Sequence, residues 1–435
     1  MAVFAPLPRL GLLVVDEEHD PSFKQQEGAR YSARDLAVYR GRLEAVPVLL
    51  GSATPSLESW QRVQEGRYAR LSMPQRVGGG AMPEVRLLDM NHQPRGENAP
   101  ALAGPVVEQI EARRARGEQS LLLLNRRGYA PVLHCGACGW KSQCAHCSAW
   151  RVFHKADRTL RCHHCGYTER VPRACPDCGN LDIAPVGRGT ERLEEQMAAL
   201  LPGARVARID ADTTRLKGAL DAQLAAVHDG DVDVLVGTQM VAKGHDFRRV
   251  TLVVAVNPDG ALFASDFRAA ERLFSLLLQA AGRAGRDAQA AARSQMWLQT
   301  WHPQHPLYAA LRRHDFEAFA AQQLQERRLA GLPPFTHLAL LRAESREPAP
   351  ARDFLAAARE AGRALPAAGD VTFYPPVPPP VARVADAHRF QMLLEAASRG
   401  ALQRLLAQWV PSLHALKTQH RGVLRWAVDV DPLAI

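Results

Sequence analysis

The sequence predicts an α/β protein of open parallel sheets covered by helices, interrupted by a cysteine-rich insertion and closed by an α+β domain. Three observations carry that expectation. Apolar runs of strand length alternate with stretches of helical spacing as far as about residue 330, the alternation that a helix-covered parallel sheet requires. All eight cysteines lie between Cys135 and Cys178, in four C-x-x-C pairs. Beyond Gly331 the texture changes, and the rigid run Pro375–Pro380 marks a turn or crossing.

Leu10–Val15 is a continuous apolar run ending in acids, as in a buried parallel strand. Tyr31–Arg42 has helical spacing, and Val46–Leu50 reads as a second strand. Gly78–Gly80, Pro83 and Asn91–Pro100 form a linker-like stretch. A second block opens with a helix over Val106–Arg116 and a strand at Leu121–Leu124, and the cysteines interrupt it. It resumes with helices at Glu191–Leu200, Ala219–His228 and Arg268–Ala281, and strands at Arg205–Ile209, Val232–Val236, Thr251–Val256 and Gln295–Gln299. In the closing domain, helices at Pro350–Leu365 and Leu402–Val410 alternate with strands near Leu338–Ala343, Arg389–Leu394 and Leu424–Val430. The expected segments are 1–75, 76–132, 133–182, 183–330 and 331–435, with no internal repeat.

Composition limits the function classes. At 435 residues and 47 % hydrophobic content, several cores of ordinary globular size are expected, not a disordered tail. No apolar run of about 18 residues exists, so no membrane partner is expected. The apolar N-terminal stretch lacks a basic region and is broken by Pro6, Pro8 and Arg9, unlike a signal peptide. Clustered cysteine pairs, without cysteines elsewhere, fit a reducing compartment, and a cytoplasmic location is expected. Lys+Arg exceeds Asp+Glu by 54 − 45 = 9, and only six of the basic residues are lysine. Arginine-rich codon usage explains this; so does a phosphate-rich partner, because arginine forks match phosphate geometry.

Four motifs could carry chemistry. Asp16-Glu17-Glu18-His19 follows the first strand directly. Ligands in parallel sheets sit at the carboxyl ends of strands; an Asp there can hold Mg²⁺ through water, and the next Glu can orient water on a γ-phosphate. Alone, the four residues would also suit an acidic surface loop. Gly51-Ser52-Ala53-Thr54-Pro55 ends the second strand, either as a hydrogen-bond relay or as a helix cap. Val236-Gly237-Thr238-Gln239 leads to Lys243-Gly244-His245-Asp246, where small and polar residues permit close approach of a nucleic-acid backbone. Gln279-Ala280-Ala281-Gly282-Arg283-Ala284-Gly285-Arg286 puts two arginines three apart, suited to a developing γ-phosphate charge or to a helix C-cap.

The cysteine pairs are Cys135/Cys138, Cys144/Cys147, Cys162/Cys165 and Cys175/Cys178. Eight thiolates in four knuckles suit two closed, tetrahedral zinc sites. Five residues separate Cys138 from Cys144, a short path for two knuckles to share an ion; fourteen separate Cys147 from Cys162, enough for a hairpin. The expected nesting is therefore Cys144, Cys147, Cys162 and Cys165 on an inner zinc, with Cys135, Cys138, Cys175 and Cys178 closing around an outer one. The neighbouring histidines, His134, His146, His154, His163 and His164, are read as surface residues.

Taken in order, strand-DEEH, strand-GSATP, strand-GTQ and helix-QxxGRxGR resemble the motifs of superfamily 2 helicases. Further runs narrow the likeness: Phe23-Lys24-Gln25-Gln26-Glu27-Gly28, Tyr31-Ser32-Ala33-Arg34-Asp35-Leu36-Ala37, Leu124-Asn125-Arg126-Arg127-Gly128-Tyr129, the cysteine pairs, Asp259-Gly260-Ala261-Leu262-Phe263 and Asp266-Phe267-Arg268. Together they resemble the primosomal protein N′ family of replication-restart helicases, from about Leu10 to Pro432. The resemblance implies RecA-like helicase lobes, the first partial, a two-zinc insertion in the second and a C-terminal α+β domain. It implies an ATP-dependent 3′→5′ DNA helicase that recognises stalled or abandoned forks and initiates primosome assembly, and the same nesting of two Zn²⁺. The implied partners are forked and single-stranded DNA, the single-stranded DNA-binding protein and other primosome proteins. ATP and Mg²⁺ are the implied cofactors. By motif, Asp16 would serve Mg²⁺, Glu17 the hydrolytic water, and Arg283 and Arg286 the γ-phosphate. His19, Ser52, Thr54 and Gln279 would couple the motor, and Phe23, Lys24, Tyr31, Arg34, Thr238 and Lys243 would meet DNA, with Phe23 and Tyr31 stacking on bases.

The family's first lobe also carries a phosphate-binding loop, G-x-x-x-x-G-K-[ST], and no such run occurs in these 435 residues. Without its backbone N–H cradle and lysine, the β- and γ-phosphates have no primary site. The expectation is a truncated chain or a misassigned start, inactive alone as an ATPase. The alternative is a non-catalytic, zinc-containing DNA- or protein-binding fragment.

Overall fold

The computed structural model describes residues 2–73, 81–94, 101–124, 132–154, 158–162, 164–181, 183–186, 193, 196–197, 199–209, 219–238, 247–263, 266–285 and 292–435. The chain forms two units, one of Met1–Gln61, Pro131–Gly187 and Leu324–Ile435, the other of Arg62–Ala130 and Arg188–Gln323.

The second unit is built on six parallel strands, in the order Val206–Ile209, Val234–Gly237, Gln119–Leu124, Val250–Val256, Gln295–Thr300, Glu84–Asp89. Alternate side chains of a strand point to opposite faces, and both faces here are apolar. Leu121, Leu123, Leu235, Val253 and Ala255 pack against Leu273, Phe274 and Leu277 of helix Ala269–Ala281. Leu122, Leu124, Val236, Leu252 and Val254 pack against Val106 and Ile110 of helix Gly104–Arg114. This explains why the central strands read as unbroken hydrophobic runs. Each buried Val, Leu, Ile or Phe side chain here contributes roughly 1.5–3 kcal/mol.

Glu84–Asp89 was expected to be linker. It is the edge strand of this sheet, in register Glu84↔Gln295 to Asp89↔Thr300. Its charged Glu84 and Arg86, ion-paired at 2.8 Å, hide it from a reading that looks for apolar runs, yet they are what an exposed edge needs. Helices Pro306–Arg312 and Phe316–Leu329 were also missed. The first is short, and the second is polar around much of its circumference. The predicted helix Glu191–Leu200 lies partly outside the described residues; Leu193 and Met197 are buried in the second core.

In the first unit, Leu13–Val15 and Val48–Leu50 form a two-stranded parallel sheet backed by helix Ala33–Leu43. Ser32 caps that helix, accepting a hydrogen bond from the Asp35 N–H at 3.2 Å. The cysteine region contributes the pair Val132–Cys135 with Ile183–Val186, and a meander of Val152–His154, Thr159–Arg161 and Thr168–Arg170. The closing domain is antiparallel, in the order Val371–Phe373, Ala387–Ala396, His337–Ser345, Val423–Val430, with the short strand Arg383–Val384 also pairing Ala387–Ala396. Helices Pro348–Arg363 and Arg399–Gln419 bury Phe354, Leu355, Leu405 and Trp409 against it. The last helix was expected to stop before Pro411 but runs through it. Buried Trp409 and Leu413 on either side hold the helix to the core, which outweighs the hydrogen bond that a proline forgoes.

Candidate functional site

Two parallel strands in register place their following residues side by side. Val15 pairs with Leu50, so Asp16 and Gly51 stand together at the carboxyl ends of the strands. The Gly51 N–H donates to the Val15 carbonyl at 2.8 Å and the Glu18 N–H to the Gly51 carbonyl at 3.0 Å, which knits the acidic loop to the GSATP loop. Asp16 is exposed and its Oδ1 accepts the Glu17 N–H at 2.9 Å. Glu17 is left-handed, with φ +49°, a conformation unfavourable for a residue with a side chain and common where function dictates the backbone. His19 Nδ1 lies 2.7 Å from Ser52 Oγ and 3.6 Å from Glu17 Oε2. Ser52 Oγ also accepts the Thr54 N–H at 3.0 Å. Thus His19, Ser52 and Thr54 form one connected relay, and Glu17 touches its end. Thr54 is fully buried, and its Oγ1 has no hydrogen-bond partner among the described residues.

Glu18 was passed over in the sequence, yet it organises the loop. It is buried and accepts from the Ser56 N–H at 2.6 Å, from the Ser56 and Ser59 hydroxyls at 3.0 Å each, and from Arg34 at 3.2 Å. Arg34 also donates to Asp35 at 2.9 Å. Burial works against the arginine charge, but the carboxylates of Asp35, Glu18 and Glu58 overcome it and raise its pKa above the ordinary value. Arg34, expected as a DNA contact, stands partly buried among these carboxylates.

Lys24 is paired as well. It is buried; its Nζ donates to the Val430 carbonyl at 2.5 Å and the Arg30 carbonyl at 3.2 Å and lies 3.0 Å from Asp429 Oδ1. A buried ammonium needs such partners. Phe23 and Tyr31 are half-buried at the two ends of this loop, Tyr31 edge-on to Phe4 at 5.2 Å. The bridge Lys24↔Ser32 pinches the loop, and Gln25–Ala29 stand exposed between.

In the second unit, Thr238 is half-buried just past strand Val234–Gly237. Gln279 lies in the last turn of helix Ala269–Ala281 and Arg283 just beyond it, both half-buried. The Gly285 N–H donates to the Val250 carbonyl at 3.2 Å, and its φ of +64° suits glycine. Lys243 and Arg286 lie outside the described residues. Asp259 is a buried hub: Oδ1 accepts from Thr300 at 2.6 Å and Tyr308 at 2.7 Å, and Oδ2 from the Trp301 N–H at 2.7 Å.

The cysteines gather as two groups of four, Cys135, Cys138, Cys175, Cys178 and Cys144, Cys147, Cys162, Cys165, the ligand atoms of each within 4.8 Å of one another. Sulfur pairs stand 3.6 Å (Cys135/Cys178), 3.5 Å (Cys138/Cys175) and 3.8 Å (Cys144/Cys165) apart. A tetrahedron of thiolates about 2.3 Å from zinc has edges of about 3.8 Å, so both groups fit the ion, in the nested pairing. Backbone N–H groups help to lower the thiol pKa at two of these cysteines, Cys135 and Cys162. The Cys138 N–H, with the Ala137 N–H, outweighs burial and holds Cys135 at about 7. At Cys162 burial is opposed by the N–H groups of Cys165 and His164, which bring its thiol below the ordinary value. Burial pushes the Cys147 thiol up to about 12, and the Ala385 N–H acts the other way.

Comparison with known proteins matches these parts in the same order. Residues 144–170 match the PriA DNA helicase Cys-rich region domain, 186–288 the helicase conserved C-terminal domain, and 328–433 the primosomal protein N C-terminal domain. Replication restart protein PriA of Haemophilus influenzae is 42 % identical over 431 residues, 99 % of this chain and 58 % of that protein. The Bacillus subtilis protein of the same name is 40 % identical over 433 residues, 99 % of this chain and 53 % of that one. Over nearly its whole length this chain matches PriA proteins. It spans just over half the length of these two relatives. The helicase lobe, the cysteine-rich domain and the C-terminal domain of the family are thus all present. Among the described residues no helix is long and apolar enough to cross a membrane.

Proposed function

We propose that the chain supplies the acidic-loop, second-lobe, zinc and C-terminal parts of an ATP-dependent 3′→5′ DNA helicase that recognises stalled forks and starts primosome assembly. The observation that carries this reading is the strand-end arrangement of Asp16, Glu17, His19 and Ser52. Asp16 and Glu17 follow the carboxyl end of a parallel strand, the end at which such sheets commonly bind ligands, and the His19–Ser52 bond ties that point to the next loop. Asp16 would hold Mg²⁺ through water, Glu17 would orient the attacking water, and Arg283 with Arg286 would stabilise the γ-phosphate charge. Thr238, Lys243 and the exposed loop between Phe23 and Tyr31 would face DNA. The name of the relatives supports replication restart as the setting, and single-stranded DNA-binding protein and primosome proteins would be its partners.

A protein containing this chain together with an upstream lobe bearing a phosphate-binding loop tests the reading. On forked duplexes it should unwind from a 3′ single-stranded tail, and Glu17→Gln should abolish unwinding while nucleotide still binds. Unwinding unchanged in Glu17→Gln would remove the acidic loop from the chemistry. For the 435 residues alone, the missing loop favours the second reading, a non-catalytic zinc-containing module that binds DNA or protein.

A further inference from the structure

Three of the four knuckles close on themselves. Each has a glycine after its second cysteine, Gly139, Gly166 and Gly179, with φ of +77°, +77° and +74°. The glycine N–H returns to the carbonyl of the first cysteine, Gly139 to Cys135 at 3.0 Å, Gly166 to Cys162 at 2.9 Å and Gly179 to Cys175 at 2.9 Å. Only glycine takes that left-handed backbone without strain. The fourth knuckle, Cys144-Ala145-His146-Cys147, is followed by Ser148. The Ser148 N–H points instead to the Arg383 carbonyl, at 2.9 Å, in the C-terminal domain.

That contact is one of a set. The Arg383 N–H donates to Ser148 Oγ at 2.9 Å, and its guanidinium to the Ala145 carbonyl at 2.9 Å. The Ala385 N–H donates to Cys147 Sγ at 3.4 Å, and the Asp386 N–H to the His146 carbonyl at 2.9 Å. His146 Nδ1 lies 2.5 Å from Asp386 Oδ2, and Val384 packs on the inner cysteines. The partner segment is a two-residue hairpin turn joining Val384 to Ala387, and both central residues, Ala385 and Asp386, are left-handed at φ +49° and +58°. Such turns are ordinarily made with Asn-Gly or Gly-Gly. Here two residues with side chains hold the conformation, and it aims consecutive N–H groups at the knuckle.

We infer that the inner metal centre is composite: the Arg383–Asp386 turn of the C-terminal domain completes the Cys144–Cys147 knuckle, so that inner-zinc retention and docking of the cysteine-rich domain on that turn depend on each other. The outer centre closes its knuckles with its own glycines and lacks this dependence. The physical route is the N–H···S bond at Cys147. It offsets part of the thiolate charge and fixes the sulfur's direction, as partners behind metal ligands do. Because metal binding and the contacts that orient its ligands are linked, each stabilises the other.

The zinc-loaded 435-residue chain tests this. Ala385→Pro removes the N–H and forbids the positive φ; Ala385→Gly keeps the N–H and accepts it. With release followed by a colorimetric chelator, one of the two zinc ions should leave Ala385→Pro about 10–100 times faster, the other at the parent rate, and Ala385→Gly should match the parent. Should Ala385→Pro fail to fold, hydrogen exchange decides. In Cys144→Ser, which loses an inner ligand, amides in the 383–388 segment should exchange faster than in the parent, while Gly139 and Gly179 stay protected. Parent release rates for both ions in a folded Ala385→Pro, or parent protection of 383–388 in Cys144→Ser, would overturn the inference.

Discussion

Glu17 and Glu18 are adjacent, chemically identical and opposite in surroundings. Glu17, left-handed, carries a half-exposed carboxylate beside His19. Glu18 turns inward to three hydroxyl and N–H donors on the GSATP side and to Arg34. The two should therefore fail differently. Glu18→Ala should lower stability by about 3 kcal/mol, because it leaves the buried Ser56 N–H and the Ser56 and Ser59 hydroxyls without their carboxylate and takes one partner from Arg34, read as a shift of the urea midpoint; a shift below about 1 kcal/mol would mean that water replaces the carboxylate. Glu17→Gln should leave that midpoint unchanged. Cys144→Ser should bring the chain from two zinc equivalents to one, with the outer thiolates still metal-bound. Loss of both would show that the two centres fold as one. The cysteine groups were legible because residue type and spacing alone imply the chemistry. The partners of Lys24 and Arg34 were not, because a basic residue near aromatics reads as a DNA contact, and nothing local tells that Asp429, far along the chain, lies beside Lys24.

At the scale of elements, close packing sets what the sequence must supply. Gly362 lies in helix Pro348–Arg363, where an added Cβ would fall 2.6 Å and 2.8 Å from Phe373 and 2.8 Å from Trp409 Nε1. That indole N–H donates to the Ala358 carbonyl at 2.8 Å, so the Trp409 ring cannot yield without breaking a buried bond. Gly362→Ala should destabilise the C-terminal domain by about 1–3 kcal/mol, seen as a lower thermal midpoint at 435-residue length; an unchanged midpoint would show the helix free to slide. Central strands such as Val250–Val256 and helices such as Ala269–Ala281 were legible because burial on one or both faces imposes a hydrophobic period. What escaped lacks that period. Glu84–Asp89 is a charged edge, and the run through Pro411 is held by tertiary burial of Trp409 and Leu413, which no local propensity reports. Leu10–Val15 contracted to Leu13–Val15 because only the residues facing Val48–Leu50 have a partner in the sheet.

For the whole chain, the excess of nine positive charges survives internal pairing. Arg34, Arg113 and Arg342 stand beside Glu18, Glu118 and Asp429, pairs that remove as many acids as bases, so the unpaired basic residues must carry any binding. If that remainder tracks a DNA backbone, affinity should fall at least about tenfold between about 50 mM and about 200 mM salt through counterion release, and a flat titration by fluorescence anisotropy would exclude such a groove. Hydrolysis is the sharper test. In the proposed reading Asp16, Glu17 and Arg283 act only on a phosphoryl group that something else holds in place. Positioning supplies much of the catalysis in phosphoryl transfer. In P-loop motors it comes from backbone N–H groups and a lysine, and these 435 residues contain no such loop. The chain by itself should therefore hydrolyse ATP at background rate, with or without forked DNA. Adding an upstream lobe with the loop should bring DNA-stimulated turnover that Glu17→Gln removes. DNA-dependent turnover by the 435 residues alone, indifferent to Glu17→Gln, would mean that another site binds the nucleotide and that the acidic loop serves something else.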